Sequence, residues 1–187
     1  MAQYHLLPLG YLVAAGLLGG CDQASPVSPS AASTPLAAEN AALPWKESYQ
    51  ASGTIAPDAG CPAPQLLTTL EGGGTATHVG KYTIVNSHCV DPATGVLTDG
   101  SFTKTAANGD QLFGTYVGTS TVIQAPAPVG IFGVTGTITY TGGTGRFAGI
   151  TGTASMEGTL QADFSQQPIT ATSTLIMVGE ISSPGQN

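Results

Sequence analysis

The sequence predicts an all-β fold, and three observations lead to that prediction. Glycine occurs 26 times in 187 residues, and only 8% of the residues are charged, about a third of the usual fraction. From residue 50 onward, short runs of β-branched and aromatic residues alternate with turn signals. No run in that region has a convincing helical period. These features are typical of short strands joined by tight turns.

Eight candidate strands follow one another along this region: 51–56, 65–71, 75–90, 96–106, 110–122, 130–141, 149–162 and 169–183. The turn after the third is Asp91-Pro92-Ala93-Thr94-Gly95, and Asn108-Gly109-Asp110 is a strong hairpin signal after the fourth. Pro126-Ala127-Pro128 cannot lie inside a central strand, so it separates the fifth from the sixth. Gly142-Gly143-Thr144-Gly145 makes a further turn before the seventh.

The candidate strand 130–141 shows the alternation of a sheet with one apolar face. One face carries Phe132, Val134, Ile138 and Tyr140, whereas the other carries Thr135, Thr137 and Thr139. An apolar face must be covered, and about eight sequential antiparallel strands can do this by closing into a meander barrel. A two-sheet β-sandwich is the alternative. An eight-stranded barrel is filled by side chains or holds one small ligand.

Charge and motif content exclude several classes of function. The formal net charge is −7, and the four basic residues are scattered at Lys46, Lys81, Lys104 and Arg146. A nucleic-acid partner is therefore not expected, and neither is a basic patch for anionic lipid. The sequence has no phosphate-binding loop, no nucleophile elbow and no His-rich metal spacing. We expect neither a cofactor nor a metal.

The first twenty residues have the features of a signal peptide. Residues 6–20 are apolar and uncharged and end in small residues. Leu18-Gly19-Gly20-Cys21 resembles the lipobox of bacterial lipoproteins. That resemblance implies cleavage before Cys21, lipidation of Cys21, and anchoring to a membrane of the bacterial envelope with the domain in the periplasm or at the cell surface. The choice between inner and outer membrane stays open.

Composition divides the remainder into a tether and a domain. Residues 21–49 are rich in Ala, Ser and Pro and sustain no period, which is typical of a disordered tether. The tether ends near Trp45, which we expect to pack on the outside of the domain. Residues 50–187 form the predicted barrel domain.

The two cysteines of the domain are candidates for a disulfide. If Cys21 carries lipid, Cys61 and Cys89 remain as a pair in an exported, oxidising setting. Their disulfide would close a loop of about 29 residues and stabilise by roughly 3–4 kcal/mol in the chain-entropy model. A metal pair with His88 and Asp91, or free thiols, are the alternatives.

The segment 138–152 carries a family resemblance. Its turn, with Gly142, Gly143, Gly145, Arg146 and Phe147, looks like the signature of allene oxide cyclase-like barrels, and plant dirigent proteins carry a related turn. The likeness covers roughly 75–184 and implies an eight-stranded barrel with a hydrophobic central cavity. In this turn the glycines allow positive φ, while Phe147 can plug the barrel and Arg146 can bond nearby carbonyls. The catalytic residues of these families do not align with this chain, so no catalysis is carried over.

One constellation is a candidate ligand site. If 76–88 is one regular strand, His78, Tyr82, Asn86 and His88 share a face with Ile84. A bulge at Gly80 would move His78 off that face. An inward-pointing face would place imidazoles, a phenol and an amide among apolar walls, a mixture that orients a small ligand. The alternative is that Tyr82 and Ile84 are core and the polar members lie at the rims or outside.

We therefore expect a lipid-anchored envelope protein whose barrel binds a small apolar or amphipathic molecule. A cyclase or isomerase acting in the barrel is one alternative, and a structural or protein-interaction module is another. The interior distinguishes them. Convergent Tyr, His or Glu in an open cavity favours an enzyme, a dry apolar cavity favours binding, and a filled interior favours a structural role. The sequence does not predict an oligomeric state.

Overall fold

A computed structural model describes residues 42–182, which form one closed eight-stranded barrel. The strands are β1 (Leu43–Ala56), β2 (Leu66–Ala76), β3 (Gly80–Val90), β4 (Val96–Ala106), β5 (Gln111–Gln124), β6 (Val129–Gly143), β7 (Gly152–Asp163) and β8 (Ile169–Ile181). Each strand pairs antiparallel with the next, and β8 pairs with β1 to close the barrel. The predicted all-β meander barrel is confirmed, and the sandwich alternative is wrong.

The meander gives the barrel two distinct ends. The loops 57–65, 91–95, 125–128 and 164–168 lie together at one end, which we call the open end. The turns 77–79 and 107–110 and the segment 144–151 lie at the other, which we call the closed end. Every strand therefore runs between these two ends, and its alternate side chains point into the barrel.

The first strand begins earlier than the sequence pattern predicted. Residues 43–49, assigned to the tether, form the first half of β1. Trp45 is completely buried rather than packed on the outside of the domain. Trp45, Glu47, Tyr49 and Ala51 alternate inward along β1. The pattern was obscured because Glu47 is charged and nevertheless points into the barrel.

The closed end is sealed by the turn that carries the family resemblance. Gly145–Phe147 form a single 3-10 turn, and the Phe147 ring is completely buried. Gly145 has φ +53°, and a Cβ there would collide with the Asp110 carboxylate. The Arg146 guanidinium donates a hydrogen bond to the Val79 carbonyl over 2.9 Å. This anchors the turn to the loop between β2 and β3.

A disulfide joins Cys61, in the loop after β1, to Cys89 near the end of β3, and its Cα atoms lie 5.6 Å apart. The predicted pairing is confirmed. It ties the loop 57–65 to the barrel wall at the open end. The predicted lipidation site, Cys21, lies outside the described residues. Within residues 42–182, no helix is long and apolar enough to cross a membrane.

Candidate functional site

The barrel interior is divided into a filled half and an open half. The filled half, toward the closed end, contains a buried ion-pair cluster of Trp45, Glu47, Tyr82, Lys104 and Tyr140. The Glu47 and Lys104 side chains are 0% and 1% exposed. Such a pair is costly to bury unless its hydrogen bonds are completed, so its partners matter.

The four hydrogen-bond donors to Glu47 lie on four different strands of the barrel. The Lys104 ammonium lies 2.6 Å from the carboxylate. The Trp45 indole N–H donates over 3.1 Å and the Tyr140 hydroxyl over 2.9 Å. The Tyr82 hydroxyl also donates to this carboxylate. The carboxylate is thus held by four donors from β1, β3, β4 and β6.

Aromatic rings enclose the Lys104 ammonium. Its nitrogen lies 4.4 Å from the Phe102 ring centroid and 5.0 Å from that of Tyr140, within the range of a cation–π contact. Burial lowers the pKa of Lys104, and the Glu47 charge opposes that shift. Burial, followed by the Glu47 charge, raises the pKa of both Tyr82 and Tyr140. The two phenols therefore remain protonated donors, which suits a structural cluster.

The open half contains a cavity of about 410 Å³ at the mouth of the barrel. Its wall is largely apolar and comes from both sides of the barrel: Ile55, Leu66, Leu97, Phe132, Val134, Leu160, Ala162 and Ile169. The loop 91–95 and Phe164 form its rim. Two buried polar side chains, Thr68 and His88, also face the cavity.

His88 is held by hydrogen bonds that lie behind the cavity wall. Its Nδ1 atom lies 2.8 Å from the Tyr116 hydroxyl, and that hydroxyl donates to the Asn86 side-chain oxygen over 3.2 Å. Tyr116 and Asn86 do not line the cavity but border a much smaller void below it. Because Nδ1 faces Tyr116, the opposite edge of the imidazole, with Nε2, faces the cavity.

Thr68, the second polar group of the cavity, lies directly beside His88. Thr68 on β2 is the cross-strand partner of His88 on β3. Thr68 is 1% exposed, and its Oγ1 has no hydrogen-bond partner among the described residues. Within the part of the chain that the structure describes, the imidazole of His88 forms its hydrogen bond through Nδ1, to Tyr116, and none through Nε2. We call this pair the polar floor of the cavity.

Burial determines the protonation state of His88 in the polar floor. Desolvation lowers the pKa of His88 from 6.5 to about 4. The imidazole is therefore neutral near pH 7. A base of such low pKa is poorly matched to proton abstraction at neutral pH, whereas a neutral imidazole is an effective hydrogen-bond partner.

The structure separates the four residues predicted to form a ligand site. Tyr82, Asn86 and His88 do share the inner face of β3, but only His88 lines the cavity. Tyr82 belongs to the ion-pair cluster, and Asn86 supports Tyr116. His78 is not on this face, because it lies in the turn before β3 with φ +65° and is exposed at the closed end. We exclude it from the candidate site.

Sequence reasoning missed Thr68, Tyr116, Glu47 and Lys104. Lys104 follows Phe102 and precedes Ala106 at alternate positions of β4, and all three are buried. That alternation was a usable signal, but a lysine in a strand usually faces water. Thr68 lies among other threonines, and its local sequence does not distinguish it from the exposed ones.

Comparisons with known proteins do not identify the candidate site. In comparisons with protein-family models, curated proteins and solved structures, no match to the chain was found. Residues 42–182 also contain no group of three or more His, Cys, Asp or Glu side chains placed to hold a metal ion. The candidate site is therefore defined by its geometry: a cavity with apolar walls and a neutral polar floor.

Proposed function

We propose that the barrel binds a small apolar or amphipathic molecule in the cavity at its open end. The observation that carries this proposal is the cavity itself. Its volume, about 410 Å³, lies within the range of roughly 300–1,000 Å³ that is typical of small-molecule sites. Apolar walls with a few convergent polar groups are the usual lining of such sites, and Thr68 and His88 supply the polar groups.

The arrangement favours binding over the cyclase or isomerase alternative. An enzyme of that type needs a group in the cavity that exchanges protons or stabilises charge. The carboxylate of Glu47 is completely buried in the ion-pair cluster and does not line the cavity. His88 does line it, but its pKa of about 4 makes it a weak base. A cavity of this size also argues against the structural alternative, which predicts a filled interior.

A bulky side chain in the cavity should abolish binding. Ala162 on β7 is 1% exposed and lines the cavity, so Ala162→Trp would place an indole where a ligand would lie. Titration with the uncharged fluorescent probe N-phenylnaphthylamine should show saturable binding to the wild-type protein. Binding to Ala162→Trp should be weaker by at least about tenfold, which is roughly 1.4 kcal/mol.

Thr159→Trp is the matched control, because Thr159 lies on the outer face of the same strand and is exposed. This variant adds the same indole outside the barrel and should bind the probe as the wild type does. The proposal fails if the wild-type protein shows no saturable binding. It also fails if Ala162→Trp binds as tightly as the control.

We further propose that the domain is attached to the bacterial envelope through lipid on Cys21 and belongs among the allene oxide cyclase-like barrels. The lipobox-like Leu18-Gly19-Gly20-Cys21 supports the first idea, and the barrel with its sealed signature turn supports the second.

Cys21→Ser should abolish incorporation of radiolabelled fatty acid when the full chain is expressed in a bacterium. The serine hydroxyl cannot replace the thiol that carries the lipid. Cys61→Ser is the control and should retain the label, since Cys61 is held in the disulfide. Label that persists in Cys21→Ser would refute the lipid anchor without affecting the cavity proposal.

A further inference from the structure

We propose that the cavity selects an uncharged ligand whose apolar body ends in a hydroxyl group. That hydroxyl donates a hydrogen bond to His88 Nε2 and accepts one from Thr68 Oγ1. The inference rests on the proposed function and adds the chemical class of the ligand's polar end.

The hydrogen bonds around His88 assign its ring proton to Nδ1. Tyr116 has a single hydroxyl proton, and it is donated to the Asn86 side-chain oxygen. With the Asn86 amide in this orientation the Tyr116 oxygen accepts from His88 Nδ1, 2.8 Å away, and we assign the proton of the neutral imidazole to Nδ1. The other nitrogen, Nε2, is then unprotonated. It presents a lone pair to the cavity and requires a donor from the ligand.

Among the described residues, Thr68 provides a second hydrogen-bonding group without a partner. Its hydroxyl is buried, and Oγ1 has no partner among residues 42–182. A buried polar atom without a partner costs free energy, so it favours any ligand that completes its hydrogen bonding. Thr68 and His88 are directly opposite each other on adjacent antiparallel strands, where side chains on one face lie about 5 Å apart. In the proposed complex, one ligand oxygen contacts both groups.

The neutral polar floor disfavours charged ligands, because neither Thr68 nor His88 supplies a counter-ion for a buried charge. A carboxylate would place its lone pairs against the lone pair of Nε2. It would also lack a counter-ion, because none of the described Lys or Arg residues lines the cavity. The one charged residue there is Asp91, which lies at the rim and repels an anion. An alcohol both donates and accepts, so it satisfies both groups of the polar floor without burying a charge.

Competition with bound N-phenylnaphthylamine tests this selectivity. Three competitors share one alkyl chain: decanol, its methyl ether and decanoate. The ether accepts a hydrogen bond but cannot donate one. We expect decanol to compete about tenfold more strongly than the ether, the size expected for one neutral hydrogen bond. Decanoate should compete less well than decanol.

His88→Phe keeps a ring at this position but removes the acceptor. In this variant the advantage of decanol over the ether should disappear, whereas a disadvantage caused by the bulk of the methyl group would persist. His78→Asn is the control histidine variant. It lies in the turn at the closed end, where positive φ suits asparagine, and it should keep the wild-type preference.

Nitrogen NMR of the imidazole provides a second, independent measurement. The free protein should show His88 protonated at Nδ1 and unprotonated at Nε2, and the reverse tautomer would overturn the inference. Equal competition by decanol and the ether, stronger competition by decanoate, or no competition by any of the three would also overturn it. In those cases probe binding still stands as evidence for the cavity, whereas failure of the probe to bind removes both proposals.

Discussion

Lys104→Met is expected to lower the free energy of unfolding by about 3–5 kcal/mol, because it leaves the Glu47 carboxylate buried without its counter-ion. Both side chains of the pair are at most 1% exposed, so water cannot replace the lost ammonium. The methionine retains much of the apolar stem of the lysine, so the empty space left by the substitution adds little to the loss of stability. Urea denaturation of the purified protein measures the change.

Two further variants make this prediction specific. Lys81→Met removes an exposed lysine from the barrel surface and should change the unfolding free energy by less than about 0.5 kcal/mol. The double variant Glu47→Gln/Lys104→Met removes both charges but keeps an amide oxygen to accept from Trp45 and Tyr140. It should be more stable than Lys104→Met alone. If Lys104→Met does not fold, the double variant still decides the question, because its folding would locate the defect in the unpaired carboxylate.

The buried pair also explains why the open and filled halves of the barrel differ. Glu47 and its donors connect four strands at one level of the interior, and the signature turn with Phe147 lies beneath them. In the barrel interior formed by residues 42–182, ligand-sized space therefore remains toward the mouth, where most inward side chains other than Phe132 and His88 are small or aliphatic. The filled half acts as a rigid base for the cavity.

The sequence predicted the fold well because most inward positions are apolar and most outward positions are polar. In β6, Val134, Ile138 and Tyr140 are buried while Thr135 and Thr139 are exposed, as the alternation predicted. Register in a sheet is strongly specified when one face is buried. A fold class that depends on this alternation can therefore be predicted from local sequence.

The errors occurred where a polar residue points inward or a turn has no obvious signal. Glu47 and Lys104 are 57 positions apart in the sequence. The sequence around either residue therefore gives no sign that it has a buried partner. Thr77-His78-Val79 forms a turn without proline or glycine of its own, so 75–90 was predicted as one strand. Tertiary pairing, rather than local preference, determines both features.

The candidate site was predicted only in part, again because local sequence does not reveal tertiary placement. The inward face of β3 was visible in the sequence as Tyr82, Ile84, Asn86 and His88. Which of these reaches the cavity depends on how far along the barrel axis each one lies, and that depends on the closure of eight strands. The local pattern contains no information about this depth.

The wild-type domain is expected to lose about 3 kcal/mol of stability, relative to His88→Phe, as the pH falls from about 7 to about 4. Burial holds the pKa of His88 at about 4 in the folded state, against 6.5 for an ordinary histidine. Between these values the unfolded chain binds a proton that the folded chain does not. Stability from the neutral imidazole is therefore fully present above pH 6.5 and is lost as the pH falls toward 4.

Comparison with His88→Phe is needed because carboxylates also titrate in this range, and they do so in both proteins. Denaturant unfolding at a series of pH values should give curves that diverge in the direction of lower wild-type stability at acid pH. Parallel curves would show that His88 titrates alike in the folded and unfolded states. In that case the imidazole would be in contact with water, and the polar floor would not be the desolvated surface on which selection for a neutral ligand depends.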